Sequence, residues 1–376
     1  MKIVAKILLE TTQEQKEVLL KTLEIGNVIC NQISEKVWYA NIFRTFDVHH
    51  LVYHPLRSST KLSSEFIIRC ISKVADAYKL DKKKQRLFRK RGSMTYDSRI
   101  LRFKTDKSTV SIWTINGRLD IPFKANEYNI ELLKNQKGQT DLVYLNGKFF
   151  LHSICDIQEK EKNIFQDILG VDLGIVNIAV DSDGIAFSGS NIEEKRQWHS
   201  KRRTILKRVG TKSAKRRLKK LSGKQSRFQR NENHIISKKL VENAKGTKRA
   251  IALENLKGIR KWTTVTIRHE QRARHSNWGF FQLKQFIKYK ALRFGVEVIY
   301  IDPKNTSRTC SKCGHCDTKN RKTQDGFECL SCGHKENADI NAAKNIRNKG
   351  FLKTPMVADD VKLNVYRSAA SQVIGV

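Results

Sequence analysis

Two Cys-x-x-Cys pairs, Cys310-Ser-Lys-Cys313 and Cys329-Leu-Ser-Cys332, stand fifteen residues apart. Each is followed by glycine and histidine, at Gly314-His315 and Gly333-His334. Few sequence features restrict a fold as tightly. Thiolates at this spacing, in turns that glycine closes, can all face one tetrahedral zinc ion. Unrelated loop cysteines, or two redox pairs, would not repeat one frame twice. The pattern predicts a zinc knuckle or ribbon built on a single ion. Seven residues further on comes Asp339, inside Asn337-Ala-Asp-Ile-Asn-Ala-Ala-Lys-Asn345. A module this small does not account for 376 residues, so the rest of the chain must say what it serves.

Charge narrows the partner. The chain carries 73 Lys and Arg against 37 acidic residues, a formal charge of +36. Such self-repulsion opposes compaction unless a polyanion neutralises part of it, which points to nucleic acid. A basic membrane-surface protein is disfavoured, because no long segment combines a basic face with a bulky apolar one. No apolar run is long enough to span a membrane, and Met1-Lys-Ile-Val-Ala-Lys-Ile lacks a signal-peptide core. A soluble, intracellular protein is expected. Cys30, Cys70 and Cys155 lie in apolar surroundings and read as buried thiols, with Cys316 a bystander of the zinc frame.

Residues 2–9 read as a strand. Thr11 and Glu14 have capping-box spacing before a helical run carrying Val18, Leu19, Leu23, Ile25, Val28, Ile33 and Val37, which Gly26 is expected to break or bend. A second helical pattern runs from about Lys61 to Arg89 and turns basic at its end, where Lys82, Lys83 and Lys84 are candidates to meet phosphates. His49, His50 and His54 have no carboxylate or cysteine at helpful spacing and are not expected to hold a metal. From Ile100 the period becomes two, and Asn116-Gly117 and Asn146-Gly147 mark hairpins. Residues 100–157 therefore predict a small β-barrel completed by the N-terminal strand, with the helices inserted in it.

The second half places carboxylates where apolar sequence should be. Asp172 ends Ile168-Leu-Gly-Val-Asp-Leu-Gly174, and Glu254 ends Arg249-Ala-Ile-Ala-Leu-Glu. An acid in an apolar strand is costly unless it is paired or binds a cation. Gly170 and Gly174 on either side of Asp172 point to close approach by a ligand. Asp339 opens a small-residue helix. Singly these acids could pair with arginine, sit in a turn or cap a helix. Together, in strand, hairpin, helix, strand, helix, strand order, they match a ribonuclease H-like fold, where three carboxylates hold two magnesium ions for phosphodiester hydrolysis.

Between Asp172 and Glu254 lies the most basic stretch, including Arg202, Arg203, Lys207, Arg208, Arg216, Arg217, Lys219, Lys220, Arg227 and Arg230. Its nearly single sign predicts a helical hairpin along a phosphate backbone. Lys257, Arg260, Lys261 and residues 268–274 continue it, and Trp262 and His269 could stack on bases or pack.

Four blocks then become specific in order and spacing: Gly170-Val-Asp-Leu-Gly174, Ala252-Leu-Glu-Asn-Leu256, Thr306-Ser307 before Cys310-x-x-Cys-Gly314, and Asn337-Ala-Asp-Ile-Asn-Ala-Ala343. With Trp278-Gly-Phe-Phe-Gln-Leu283 and 296–303, they resemble TnpB, the transposon-encoded RNA-guided nucleases related to type V CRISPR effectors. The resemblance covers the second half closely and the first half in layout. It implies a RuvC-like nuclease at 161–304 and 336–350, a zinc ribbon at 305–335, a wedge-like barrel at 1–10 and 95–160, a helical recognition insert at 11–94, and a tail at 351–376. It further implies Asp172, Glu254 and Asp339 as a magnesium-binding catalytic triad, and one structural zinc on Cys310, Cys313, Cys329 and Cys332. Thr306 and Ser307 join the basic residues as nucleic-acid contacts. The implied partners are a guide RNA from the transposon end and double-stranded target DNA, with one protein copy in the ribonucleoprotein. A repressor that has lost cleavage is disfavoured by the intact acids. A transposase that joins DNA ends is disfavoured because no His or Tyr nucleophile motif stands in a convincing frame.

Overall fold

A computed structural model describes residues 1–161, 163–256 and 279–353. The chain divides into two compact units, 1–158 and 159–376. Among the described residues, no helix is long and apolar enough to cross a membrane.

The first unit is built on a seven-stranded sheet. Its strands are β1 (Lys2–Leu9), β2 (Met94–Tyr96), β3 (Leu101–Lys104), β4 (Thr109–Thr114), β5 (Gly117–Lys124), β6 (Gln136–Leu145) and β7 (Lys148–Asp156), in the order β2-β6-β7-β1-β5-β4-β3. Burial alternates along β7, and Ala5, Ile7, Leu9, Phe149 and Leu151 share the buried face. The edge strands β2 and β3 are joined by only residues 97–100. Such a link reaches at most about 17 Å, whereas the edges of a flat seven-stranded sheet stand about 29 Å apart. The sheet therefore curls until it is nearly closed. At Asn146-Gly147 both residues take positive φ, whereas at the other hairpin only Gly117 does, since Ile115 and Asn116 form that loop.

Three helices follow β1: α1 (Gln13–Tyr39), α2 (Thr45–Ser59) and α3 (Ser64–Leu80), and a short α4 (Glu127–Leu133) lies between β5 and β6 in the chain. The capping box falls one residue later than expected, on Thr12 and Gln15, which leaves Glu14 in the first turn where a negative charge suits the helix dipole. Gly26 neither breaks nor ends α1. A side chain there would press to 2.9 Å on the Phe66 ring, so glycine lets α1 and α3 meet closely. The expected helix up to Arg89 stops at Leu80. The following chain is instead strapped to one polar face of α1. Ser34 Oγ donates to Arg86 O, Asn31 bonds both Phe88 N–H and Phe88 O, and Asn27 Nδ2 donates to Gly92 O. These side chains satisfy the strap's backbone as a helix otherwise would. Lys82, Lys83 and Lys84 remain exposed at its start.

The second unit holds a five-stranded sheet of β8 (Asp167–Asp172), β9 (Asn177–Asp181), β10 (Ala186–Ser188), β11 (Arg249–Glu254) and β12 (Val298–Ile301), in the order β10-β9-β8-β11-β12. The hairpin strands pair antiparallel, and β8, β11 and β12 run parallel. The parallel strands are covered on both faces. Leu169, Val171, Ile251 and Leu253 pack under α7 (Lys224–Gly246) and α8 (Phe280–Phe294). Ile168, Ala250, Ala252 and Ile301 pack on the opposite side with Ile346 of α9 (Ala338–Lys353).

Gly170 serves a helix rather than a ligand. A Cβ on Gly170 would lie 2.1 Å from Ala343 O and 2.6 Å from Arg347 N, so the α9 backbone rests directly on β8. Gly174 likewise makes room for Asn177 O, 2.6 Å from where its Cβ would be. The basic stretch forms α5 (Ser190–Val209), α6 (Lys212–Leu221) and the start of α7. These are three helices in place of the expected hairpin, because Gly210 and Gly223 take positive φ and end each run.

Gly170→Ala should lose about 3 kcal/mol or more of unfolding free energy in a denaturant titration, since backbone cannot retreat as a side-chain tip can. Near-wild-type stability would contradict the seating of α9 on β8.

Candidate metal and nuclease site

The cysteine module repeats one turn twice. Cys310 N–H donates to His315 O and Gly314 N–H to Cys310 O. Cys329 N–H donates to His334 O and Gly333 N–H to Cys329 O, each pair at 2.9 and 3.0 Å. Gly314 and Gly333 supply the left-handed residue that closes each turn, at φ +79° and +68°. The turns bring the four sulfurs within 4.8 Å of one another, with Cys310–Cys332 at 3.7 Å and Cys313–Cys329 at 3.5 Å. Tetrahedral thiolates at zinc–sulfur bond lengths stand about 3.8 Å apart, so the cluster could hold zinc. Burial pushes the Cys313 thiol up to about 12. The Cys329 thiol feels burial most, but the amides of Cys332 and Ser331 together with the Cys313 and Cys332 side chains outweigh it and bring it down to about 6. Cys316 is exposed and outside the cluster. Asn320 ties the two turns together, donating to Arg308 O and His315 O and accepting from Leu330 N–H.

The three acids come from β8, β11 and α9. In the parallel register Val171 faces Leu253, so Asp172 and Glu254 end neighbouring strands at the same level. Asp339 lies four residues before Ala343 on α9, about 6 Å along the axis. Asp172 lies two residues beyond Gly170 on β8, about 6.6 Å. Seating Ala343 over Gly170 therefore puts both carboxylates at one level. Asp172 is pushed up to about 7, first by burial and then by the charges of Glu254 and Asp339, with Arg321 opposing. Burial also raises Glu254, while Thr306 Oγ1, donating to Glu254 Oε1 at 2.5 Å, pulls it back. Asn177 Nδ2 donates to Asp339 Oδ2 at 3.0 Å, and Arg321 reaches Asp339 Oδ1 at 3.4 Å. Oxygen donors crowded so that Glu254 and Asp339 oppose ionisation of Asp172 fit hard divalent cations.

Other expected contacts are scattered. Thr306, expected as a nucleic-acid contact, is buried and donates its hydroxyl to Glu254; Ser307 beside it is half-buried. Arg203, Lys207, Arg208, Arg216, Arg217, Lys219, Lys220, Arg227 and Arg230 are exposed on α5–α7, and Arg202 is half-buried. Lys257, Arg260, Lys261, Trp262, residues 268–274, Trp278 and residues 354–376 lie outside the described residues. Sequence reasoning missed Asn177, Arg321 and the asparagines of α9. Two asparagines one helical turn apart, on either side of Ala342-Ala343, were the available signal.

With this geometry in place, comparison with known proteins gives a consistent answer. A family model described as the Cas12f1-like TNB domain matches residues 280–346, from α8 through the cysteine module into α9. The CRISPR-associated endodeoxyribonuclease Cas12f1 of Sulfoacidibacillus thermotolerans is 32% identical over 234 residues, covering 57% of this chain and 53% of that protein. The putative RNA-guided DNA endonuclease InsQ of Escherichia coli strain K12 is 28% identical over 200 residues, 49% of each chain. A TnpB-like protein of Methanocaldococcus jannaschii is 29% identical over 219 residues, covering 56% of this chain and 75% of that one. The chain spans about half the length of the first curated relatives it matches. A cryo-EM structure of a Cas12f1–sgRNA–target DNA complex superposes with a TM-score of 0.63 at 16% identity, over 89% of this chain and 83% of that one. The fold is thus shared with Cas12f-type effectors. The chain is a TnpB-like relative of the type V effectors.

Purified protein should contain about one zinc per chain, and Cys329→Ser should remove it; metal analysis decides. A second outcome concerns pH. The Asp172 carboxyl ionises later in the folded chain than in the unfolded one, where its pKa is 3.8. Its contribution to stability is present below that value and is lost as pH rises through about 7. In magnesium-free buffer, Asp172→Asn should melt higher than wild type at about pH 8, and the two should converge near pH 4.

Proposed function

We propose that this chain is an RNA-guided endonuclease that cleaves double-stranded DNA beside a short transposon-associated motif, and so supports maintenance of its transposon. The observation that carries this reading is the convergence of Asp172, Glu254 and Asp339 at one end of the five-stranded sheet. The named activities of the Cas12f1 and InsQ relatives support it. In this reading residues 161–304 and 336–350 form the RuvC-type, ribonuclease H-like nuclease and 305–335 its zinc ribbon. Residues 1–10 and 95–160 form the wedge, 11–94 the recognition insert and 351–376 a tail. One protein copy acts with a guide RNA in a prokaryotic cytoplasm.

Two magnesium ions, when bound, supply an activated water and charge stabilisation for in-line displacement at a phosphodiester. The chain's part is to hold their oxygen ligands still. The strand register fixes Asp172 beside Glu254. Thr306 holds one oxygen of Glu254, and Asn177 and Arg321 hold the two oxygens of Asp339. Leu173 and Val171 shield the strand end from water on the side of α7 and α8. The exposed bases of α5–α7 and Lys82, Lys83 and Lys84 grip phosphates without reading sequence, which base pairing with the guide supplies.

Asp172→Ala should reduce DNA cleavage by at least roughly a thousandfold while leaving RNA-dependent DNA binding intact. Cleavage at the wild-type rate would remove Asp172 from the site. Sequencing RNA that co-purifies with the protein tests the guide. A discrete transposon-end RNA is expected, and bulk cellular RNA would reduce the reading to a basic nuclease.

A further inference from the structure

Asn341 and Asn345 are almost wholly buried on α9, at 0% and 5% exposure, one turn apart. A buried amide is costly without partners. Both side chains turn to the same loop, residues 306–311. Asn345 Nδ2 donates to Thr306 O at 2.9 Å and to Thr309 O at 2.6 Å. Asn341 Nδ2 donates to Thr309 O at 2.8 Å, and its Oδ1 accepts from Ser311 N–H at 2.9 Å. The loop touches one cluster at each end. Thr306 holds Glu254, and Cys310 belongs to the sulfur cluster. The helix carries the third acid at Asp339, and its first residue, Ala338, packs against Cys310 and Cys329.

We propose that Asn341 and Asn345 are positioning residues that couple the cysteine cluster to the carboxylate cluster. A metal in the thiolate cluster fixes Cys310 and with it the loop. The asparagines lock the loop to α9, and the locked loop presents the Thr306 hydroxyl to Glu254 while α9 presents Asp339. Filling the sulfur site therefore raises the affinity of the oxygen site for a divalent cation, although no side chain belongs to both. This inference rests on the reading of the three acids as a cation site.

The test measures Mn²⁺ binding by the electron paramagnetic resonance of free Mn²⁺, using the full chain loaded with zinc or stripped of it. Zinc removal should weaken Mn²⁺ binding by wild type roughly tenfold, a typical size for coupling between sites. Asn345→Ala should keep its zinc, bind Mn²⁺ roughly tenfold more weakly than wild type, and lose most of the dependence on zinc. Thr306→Val, which removes only the hydroxyl, should weaken Mn²⁺ binding in the same way and keep zinc. It decides the matter should Asn345→Ala fail to fold or to hold zinc. Wild-type Mn²⁺ affinity in a zinc-loaded variant, or an equal loss on zinc removal in wild type and Asn345→Ala, would overturn the coupling. Failure of the underlying reading looks different: zinc-loaded wild type would then bind Mn²⁺ no better than Asp339→Asn.

Discussion

The contact of the α9 backbone with Gly170 sets the level of everything at the site. A strand inside a sheet normally meets a covering helix through side chains, at a spacing of about 10 Å. Here one strand residue has no side chain and the helix facing it is lined with Ala342 and Ala343, so backbone rests against backbone. Gly350 gives a second close point a little under two turns later, where helix backbone meets the Ala252 and Ile168 side chains and a Cβ would come within 3.1 and 3.2 Å of them. Two such points define a line, and the helix cannot roll or slide along it without collision. Asp339 therefore inherits its height over the sheet from residues that carry no chemistry.

The cysteine module hangs from the same helix by polar rather than apolar contacts. Its own apolar cluster comprises only Cys310, Phe327, Cys329 and Ala338. So small a core cannot hold a loop by burial alone. The compensation is a set of buried amides. Asn320 joins the two turns, Asn341 and Asn345 join the first turn to α9, and Asn337 caps that helix by accepting from Asp339 N–H and Ile340 N–H. Hydrogen bonds of this kind fix direction as well as distance, which apolar packing does not. A module placed by direction can transmit a change at the thiolates to Glu254 through a single hydroxyl.

Much of this was legible in the sequence, and the boundary has physical causes. The repeated Cys-x-x-Cys frame let the sulfur cluster be named in advance, and the cost of a carboxylate in an apolar strand singled out Asp172 and Glu254. Strand alternation and Asn-Gly turns are local, so the hairpins around 116 and 146 could be as well. What escaped was decided by partners distant in sequence. The basic segment after Leu80 has helical composition, yet Asn27, Asn31 and Ser34 of α1 capture its backbone first. Gly170 signalled a close approach correctly, but nothing local says whether a ligand or a helix approaches. Nothing near Thr306 in sequence says that its hydroxyl meets Glu254, fifty-two residues earlier. Arg321 sits in a loop whose length alone gives no direction.

Charge makes the last demand. A chain of +36 should flood any acidic cluster with lysine and arginine, and a neutralised cluster would have no use for a cation. Several bases of the second unit have partners outside the acid cluster, Arg249 and Arg347 at the opposite end of the strands from Asp172 and Glu254. Arg249 forks onto Asp183 and Arg347 onto Asp167, and Lys349 donates to the carbonyls of Asp302 and Lys304. Among the described residues, the side-chain donors recorded on Glu254 and Asp339 are one hydroxyl, one amide and the single guanidinium of Arg321. Three carboxylates thus face one guanidinium directly, with the Lys349 charge also acting on Glu254. Crowded carboxylates of this kind suit a divalent cation on electrostatic grounds, and the exposed bases of α5–α7 remain available to phosphate.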